Sequence, residues 1–156
     1  MVHQLTKAIY HVLINDPTVV GMLGSTYHGS PPVFTFAPVP ENAQKPLIIT
    51  EGSVRDSARD TKDSIGQSIT RDIRCYTDET GDQEVVEDLG LAVKELFHRH
   101  EEKLQKYITD FGVVRCWADG PRVSNVHTPD EYVYGRIVTL TVWLTRYQED
   151  MTWPLI

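Results

Sequence analysis

The feature that most constrains the fold is a long alternating run at residues 132–147. Within it, aliphatic residues recur at every second position: Val138, Leu140, Val142 and Leu144 lie on one side, and Thr139, Thr141, Trp143 and Thr145 lie on the other. Because successive side chains of a strand point to opposite faces, the run predicts one strand with a single core-facing side. Trp143 and Tyr147 lie on the second side, which indicates that this side is not simply bathed in water.

Two amphipathic helices and a short helical turn are predicted. Apolar residues recur at helical spacing over residues 4–14, and Asp16 and Pro17 have the residue types of an N-cap and first position for a short turn that ends at Gly24. The second helix spans about residues 82–100, with a face made of Val85, Val86, Leu89, Val93, Leu96 and Phe97. The charged residues 98–106 either continue this helix or fray from it.

The middle of the chain predicts strands separated by turns. A brief edge strand is expected at residues 33–36, within a proline-rich segment, and another strand begins at Leu47. Residues 68–77 alternate again, with Ile69, Ile73 and Cys75 on one face. Residues 111–118 alternate through Phe111, Val113 and Trp117 with an interruption at Arg115, and Asp119-Gly120-Pro121 is a turn signal.

Length and composition bound the class of protein. The chain has 156 residues, 40% hydrophobic residues and a formal net charge of −7, which suits one α+β domain over residues 1–156 with residues 147–156 as a C-terminal tail. We expect a small, mainly antiparallel or mixed sheet, two main helices packed on one face, and a long protruding hairpin. No apolar run is long enough for a membrane span, and the start lacks the features of a secretory signal. Free buried thiols are favoured for Cys75 and Cys116, and a disulfide between them is the alternative.

No pattern for catalysis, a cofactor or a metal stands out, and we predict that the protein is not an enzyme. His98 and His100 lie two residues apart and cannot share an ion on one helix face, and no cysteine or carboxylate set completes a zinc site. Neither a G-x-S-x-G motif nor a phosphate-binding glycine loop occurs. Several basic residues could be read as a nucleic-acid patch, but aspartates interleave with them, so a solvated face or a protein contact is favoured: Arg55, Arg59, Lys62, Arg71 and Arg74.

The polar segment at residues 55–66 is the best functional candidate. It carries charges of both signs and a single large apolar side chain, and it separates two strand-like runs, so it reads as an exposed hairpin tip. Alternating charges suit docking between identical subunits, whereas the plain alternative is a mobile loop without a role. We predict a subunit or tube interface formed by Arg55, Asp56, Arg59, Asp60, Lys62, Asp63 and Ile65.

Several sequence segments across about residues 4–147 carry a family resemblance. They are the opening helix from Leu5 to Leu13, Asn15-Asp16-Pro17-Thr18-Val19-Val20-Gly21-Met22-Leu23, Gln44-Lys45-Pro46-Leu47-Ile48-Ile49-Thr50, Ile69-Thr70-Arg71-Asp72-Ile73-Arg74-Cys75-Tyr76, the helix at residues 84–97, and the strand at residues 136–143 after Tyr134-Gly135. In this order they resemble the tail terminator, or tail completion, proteins of long-tailed (siphovirus-like) bacteriophages. Trp153-Pro154-Leu155-Ile156 falls outside the shared pattern.

The resemblance implies a structural protein of the virion tail or neck, assembled in the host cytoplasm. Such proteins form a homo-oligomeric ring, typically a hexamer, that caps the head-proximal end of the tail tube, ends tube polymerisation and joins the head. The implied partners are other copies of the chain, the tail tube protein and a head-completion or connector protein, with no cofactor. DNA would pass through the channel without specific binding, which an acidic lumen favours. A head-closure protein or a tail tube subunit is the alternative.

Overall fold

A computed structural model describes residues 2–36, 39–40, 42–50, 55–58, 60, 64–78, 83–127, 129 and 132–147. The helices are α1 Val2–Ile14, α2 Pro17–Leu23, α3 Gln83–Phe97 and α4 Glu101–Gln105. The strands are β1 Val33–Phe34, β2 Leu47–Ile49, β3 Arg55–Ala58, β4 Ser64–Asp78, β5 Gly112–Val123, β6 Val126–His127 and β7 Tyr132–Tyr147.

The strands form one mixed, mainly antiparallel sheet. Its main order is β1-β2-β4-β7-β5, with β3 paired to β4 and β6 paired to β7. Only β1 and β2 run parallel among the described pairs. The predicted α+β class with a mainly antiparallel or mixed sheet is therefore confirmed.

The core lies between the helices and one face of the sheet. Alternate residues of β4 and β7 are buried, among them Ile69, Ile73, Leu140 and Val142, and all four helices contribute to the same apolar cluster. The predicted core side of β7 is confirmed, and β7 begins and ends where the alternating run does. On α3 the predicted apolar face is correct except at Val85, which is 39% exposed.

The short second helix has the predicted ends. Asp16 is its N-cap, and the Asp16 carboxylate accepts a hydrogen bond of 3.0 Å from the Val19 backbone N–H. Pro17 occupies the first turn, where its missing N–H costs nothing. Gly24 ends the helix with a φ of 68°, a left-handed conformation that glycine adopts without a Cβ clash.

The predicted turn at Asp119-Gly120-Pro121 is wrong. These residues lie inside β5, where the pairing with β7 shifts register between Asp119 and Arg122. Gly120 has a φ of 109°, and a Cβ there would lie 2.7 Å from the Ile137 carbonyl oxygen. The glycine therefore permits a bulge within a continuing strand, and glycine signals a bulge as readily as a turn.

The helix does not continue through residues 98–106, nor does it fray there. α3 ends at Phe97, Arg99 takes a φ of 60°, and α4 starts at Glu101. The break places this segment along the outer edge of β5. Backbone and side-chain groups of the segment bond that edge: Arg99 N–H to Cys116 O at 2.9 Å, Cys116 N–H to Glu101 Oε1 at 3.2 Å, Ala118 N–H to His98 Nδ1 at 3.1 Å, and Val113 N–H to Gln105 Oε1 at 2.7 Å.

These bonds close one edge of the sheet. An uncovered edge strand presents free N–H and C=O groups that pair with other chains. At β5 the groups of Val113, Cys116 and Ala118 already have partners within the same chain. A second molecule therefore cannot extend the sheet there without displacing residues 98–105.

Gly135 and Gly21 provide a matched pair of substitutions. A Cβ at Gly135 would collide with the Ser124 carbonyl oxygen and would lie 2.8 Å from the Tyr76 ring. We expect Gly135→Ala to lower the free energy of unfolding by about 1–3 kcal/mol, the usual cost of overpacking. Gly21→Ala in α2 meets nothing within 4 Å and should stabilise the protein by up to about 1 kcal/mol.

Urea denaturation of both variants measures this difference. The two substitutions add the same methyl group, so opposite shifts of the midpoint would assign the effect to the site. Equal midpoints for Gly135→Ala and the unsubstituted protein would contradict the close approach at β7.

Candidate functional site

The predicted hairpin is present as a pair of strands. β3 runs antiparallel to β4 with Arg55 opposite Thr70 and Ala58 opposite Gln67. The predicted extent of the hairpin tip, residues 55–66, is too long, because residues 55–58 and 64–66 belong to the sheet, and β4 starts at Ser64 rather than at residue 68. β4 pairs with β7 out to Ser64, opposite Tyr147.

The predicted interface residues fall at different places in this hairpin. Arg55 and Asp56 lie in β3 and Ile65 lies in β4, as placed by their backbone. Asp60 is exposed, and its Oδ1 accepts a hydrogen bond of 3.0 Å from the Gly66 backbone N–H. That bond joins the two sides of the turn. The other three predicted residues lie outside the described residues: Arg59, Lys62 and Asp63.

The basic residues considered for nucleic-acid binding do not form one surface. Arg71 is only 3% exposed and points to the helix side of β4, where its guanidinium donates a hydrogen bond of 2.5 Å to Thr6 Oγ1 of α1. Arg74 lies on the opposite side of β4, 4.0 Å from Asp72. The sheet separates the two arginines, so a single basic patch containing both is excluded.

The sheet side away from the helices, here named the open face, carries a second candidate surface. It comprises Thr70, Asp72 and Arg74 of β4, Thr139, Thr141, Trp143 and Thr145 of β7, and Arg115, Trp117 and Asp119 of β5. The tryptophans are half-buried, and in the described part of the chain no helix packs on this side.

Trp117, Trp143 and Arg115 form the apolar centre of the open face. The two indole rings meet edge to face, with centroids 5.1 Å apart and planes at 87°. The Arg115 guanidinium lies over both rings, 5.2 Å from the Trp117 centroid and 5.7 Å from the Trp143 centroid. Stacked arginine and tryptophan are the residue types that dominate the energetics of protein interfaces.

A row of hydrogen bonds stiffens the open face beside the tryptophans. Arg122 donates to Thr139 Oγ1 at 2.8 Å, and that hydroxyl donates to Asp72 Oδ1 at 2.9 Å. The row crosses β5, β7 and β4, so the side chains next to the tryptophans are held before any partner arrives. Preorganised side chains lose less entropy on association.

Sequence reasoning pointed to the open face at Trp143 but placed Trp117 wrongly. The alternation from Phe111 predicts that Val113 and Trp117 share a face. In the structure Val114 is an extra residue at a register shift in β5, so Val113 lies on the helix side and Trp117 lies opposite it. The remaining signal was the interruption at Arg115, which marks this irregularity in the pattern.

Among the described residues, the groove beside α1 does not bring reactive side chains together. An open groove beside α1 is lined by Val12, Asn15, Asp16, Leu96, Lys103, Lys106 and Tyr107. Asn15 Nδ2 donates to His11 O at 2.8 Å and lies 3.4 Å from the Tyr107 hydroxyl, while Asp16 caps α2. Within the described residues, no group of three or more histidines, cysteines and carboxylates could hold a metal ion. Likewise, none of the helices placed in the described ranges could span a membrane.

The two cysteines are free thiols, as predicted, and both are buried. Burial raises the pKa of Cys75 to about 12 from an ordinary value of 9.0. Burial, with smaller contributions from Glu101 and Glu102, raises the pKa of Cys116 to about 12. Because the thiolate is the reactive form, neither residue is a nucleophile near neutral pH.

Thiol labelling tests this assignment. At pH 8 we expect no labelling of the folded protein over the time in which urea-unfolded protein is labelled at Cys75 and Cys116. Between pH 9 and 12 only the unfolded state loses these protons, so each thiol should lower stability by up to about 1.4 kcal/mol per pH unit. Rapid labelling of the folded protein would contradict the burial of the two strands.

The strands and helices define the fold class: a mixed sheet with helices on one side and an open face on the other. A chain from the virion of a native gene transfer agent particle has this fold, with a TM-score of 0.65 at 15% sequence identity. The alignment covers 88% of this chain and 93% of that chain. At such identity the likeness shows the fold alone. No family model matches the sequence. A search of curated proteins also finds no match.

Proposed function

We propose that this protein is a virion structural component, the tail terminator of a phage-like particle. It would form a ring, typically a hexamer, at the head-proximal end of the tail tube, stop tube growth and present the surface that joins the head. The observation that carries the proposal is the fold shared, over nearly the full length of both chains, with a component of a gene transfer agent virion. The order of elements that resembles tail terminators supports the same role.

A structural role without catalysis is part of this proposal. The buried thiols, the groove in which Asn15 and Asp16 already have hydrogen-bond partners, and the interfacial residue types on the open face all suit a protein that works through its surfaces. The partners would be other copies of the chain, the tube protein and a connector protein. DNA would pass through the ring, where the net charge of −7 would oppose binding to phosphates.

Electron microscopy of the purified protein, alone and mixed with the neighbouring tube protein, tests the role. Rings, or tubes capped at one end, are the expected result. Long open-ended tubes made by this protein alone would instead identify a tube subunit, the alternative function. A monomer that ignores tubes would overturn both.

The hairpin has a direct prediction of its own. We expect the triple substitution Arg59→Ser, Lys62→Ser and Asp63→Ser to leave the fold intact, because β3 ends at Ala58 and β4 begins at Ser64, so no residue of the paired strands is changed. The variant should lose ring formation, since Asp60 is then the only charge left between β3 and β4 to meet a partner. Sedimentation measures the assembly and circular dichroism measures the fold.

A matched control removes the same number and signs of charge elsewhere. Lys7 and Asp88 are exposed helical positions and Lys106 is the exposed C-cap of α4, and their triple alanine variant should still form rings. Rings of the hairpin variant at the unsubstituted protein's concentration would contradict the assignment of the hairpin to an interface.

A further inference from the structure

The proposed ring places a geometric requirement on each copy. A closed ring of identical subunits uses head-to-tail contacts, so every copy must offer two different patches that fit one another. If the hairpin is one patch, the second must lie elsewhere on the same chain. The following inference rests on the proposed ring function and identifies that second patch.

One edge of the sheet is a poor candidate for the second patch. Pairing at β5 would join two sheets into one, but residues 98–105 already bond the backbone of Val113, Cys116 and Ala118 along that edge. Exchanging these four hydrogen bonds for new ones with a second molecule would lower the free energy of association only slightly. The contact is therefore expected on a face rather than at this edge.

The open face has the composition of an interface centre. Trp117 and Trp143 remain half-buried in the single chain, and Arg115 is exposed and stacked over both. No carboxylate among the described residues pairs with Arg115. The interaction free energy of a guanidinium stacked on aromatic rings is largest when a partner brings an acidic group next to it and excludes water.

The hairpin supplies matching chemistry. The segment that links β3 to β4 in the sequence carries the acidic residues Asp60 and Asp63 next to Arg59 and Lys62. The open face likewise has both signs, with Arg115 and Arg122 near Asp119 on exposed positions of β5. Carboxylates of one patch can thus meet guanidinium groups of the other, and the reverse pairing is available to Asp119.

We infer that the hairpin of one copy, through the segment that links β3 to β4, docks on the open face of the next copy, against Trp117, Trp143 and Arg115. The occupant is a second copy of this chain. The tryptophans supply the apolar contact, and the alternating charges set which orientation is accepted. Because the hairpin and the open face are different patches, the contact repeats from copy to copy and can close a ring.

Mixing two defective variants tests this pairing. The hairpin variant carries Arg59→Ser, Lys62→Ser and Asp63→Ser, and the face variant carries Arg115→Glu with Trp117→Thr. Each alone should self-associate at least roughly 30-fold more weakly than the unsubstituted protein, the loss expected for one hot-spot contact. Mixed in equal amounts, they retain one intact hairpin and one intact face, so native mass spectrometry should show heterodimers and no rings.

Each other outcome is informative. Face-variant rings would overturn the docking site, and face-variant rings that fail to bind the tube would assign the open face to the tube protein instead. A mixture that stays monomeric would show that the two patches do not meet. In both of these outcomes, rings formed by the unsubstituted protein would still support the terminator role. If the unsubstituted protein forms no rings, either alone or with the tube protein, both the terminator role and this inference are overturned.

Tryptophan fluorescence gives an independent readout. Trp153→Phe removes the only other indole of the chain, so emission would report on Trp117 and Trp143 alone. Assembly should shift this emission to shorter wavelength as the open face is covered. An unchanged spectrum during ring formation would overturn the proposal. Circular dichroism of the face variant separates a lost contact from a lost fold.

Discussion

Val93→Asp is expected to unfold the protein at room temperature, whereas Leu91→Asp two residues away should not. Val93 is fully buried in α3 against the sheet, and Leu91 on the same helix is 42% exposed. Burying a carboxylate without a partner, together with the lost apolar contact, costs roughly 4–5 kcal/mol or more. That is comparable to the whole stability of a marginal domain.

Circular dichroism and urea titration of both variants measure the difference. The two substitutions have the same charge change, and helix propensity alone would make Leu91→Asp the costlier of the two, so a larger loss at Val93 reports burial. Cooperative unfolding of Val93→Asp at the unsubstituted midpoint would contradict the packing of α3 on the sheet. Precipitation of Val93→Asp during expression, beside soluble Leu91→Asp, would agree with it.

Removing Glu87 is expected to destabilise the protein more than removing Arg136, its ion-pair partner. Arg136 is 6% exposed on the helix side of β7, and its guanidinium bonds the Glu87 carboxylate, the Gly135 carbonyl at 2.8 Å and Asn125 Oδ1 at 3.5 Å. Glu87→Ala leaves a buried cation without its counter-charge. Breaking a buried pair this way costs about 3–5 kcal/mol, and we expect about 2–4 here because Glu87 is partly exposed.

Arg136→Met reverses the asymmetry. The substitution removes the buried charge and keeps an unbranched apolar side chain, and the remaining Glu87 side chain is 42% exposed and stays hydrated. We expect a loss below about 2 kcal/mol, within the usual range for a single substitution. Urea midpoints of the two variants decide the order, and a larger loss for Arg136→Met would mean that the guanidinium stabilises the loop through Asn125 and Gly135 more than the ion pair does.

Patterns that depend on neighbouring residues were predicted well. The alternation of β7 located its ends and its buried side, since side-chain direction in a strand follows from backbone geometry alone. The caps of α2 followed from the residue types at Asp16, Pro17 and Gly24. The fold class followed from the order of such elements, and the buried state of Cys75 and Cys116 followed from their place in apolar strand positions.

Features that depend on register between distant strands were not predicted. The bulge at Val114 turns Trp117 away from the core, and the bulge at Gly120 carries β5 through an apparent turn. Both are decided by pairing with β7, and a single inserted residue moves the following side chains to the other face. The candidate hairpin was located from sequence, but the tryptophan and arginine cluster of the open face was not.

By itself, the sequence determined where α1, α2, α3 and the long strand β7 lie and, with Val85 as the exception, which side of them meets the core, because hydrophobic periodicity and capping act within a few residues. Only the tertiary structure decided which residues meet across the sheet: Arg136 with Glu87, Arg115 with the two indole rings, and residues 98–105 with the edge of β5. Such contacts join residues far apart in the chain. Their partners depend on strand order and register, which local patterns do not encode.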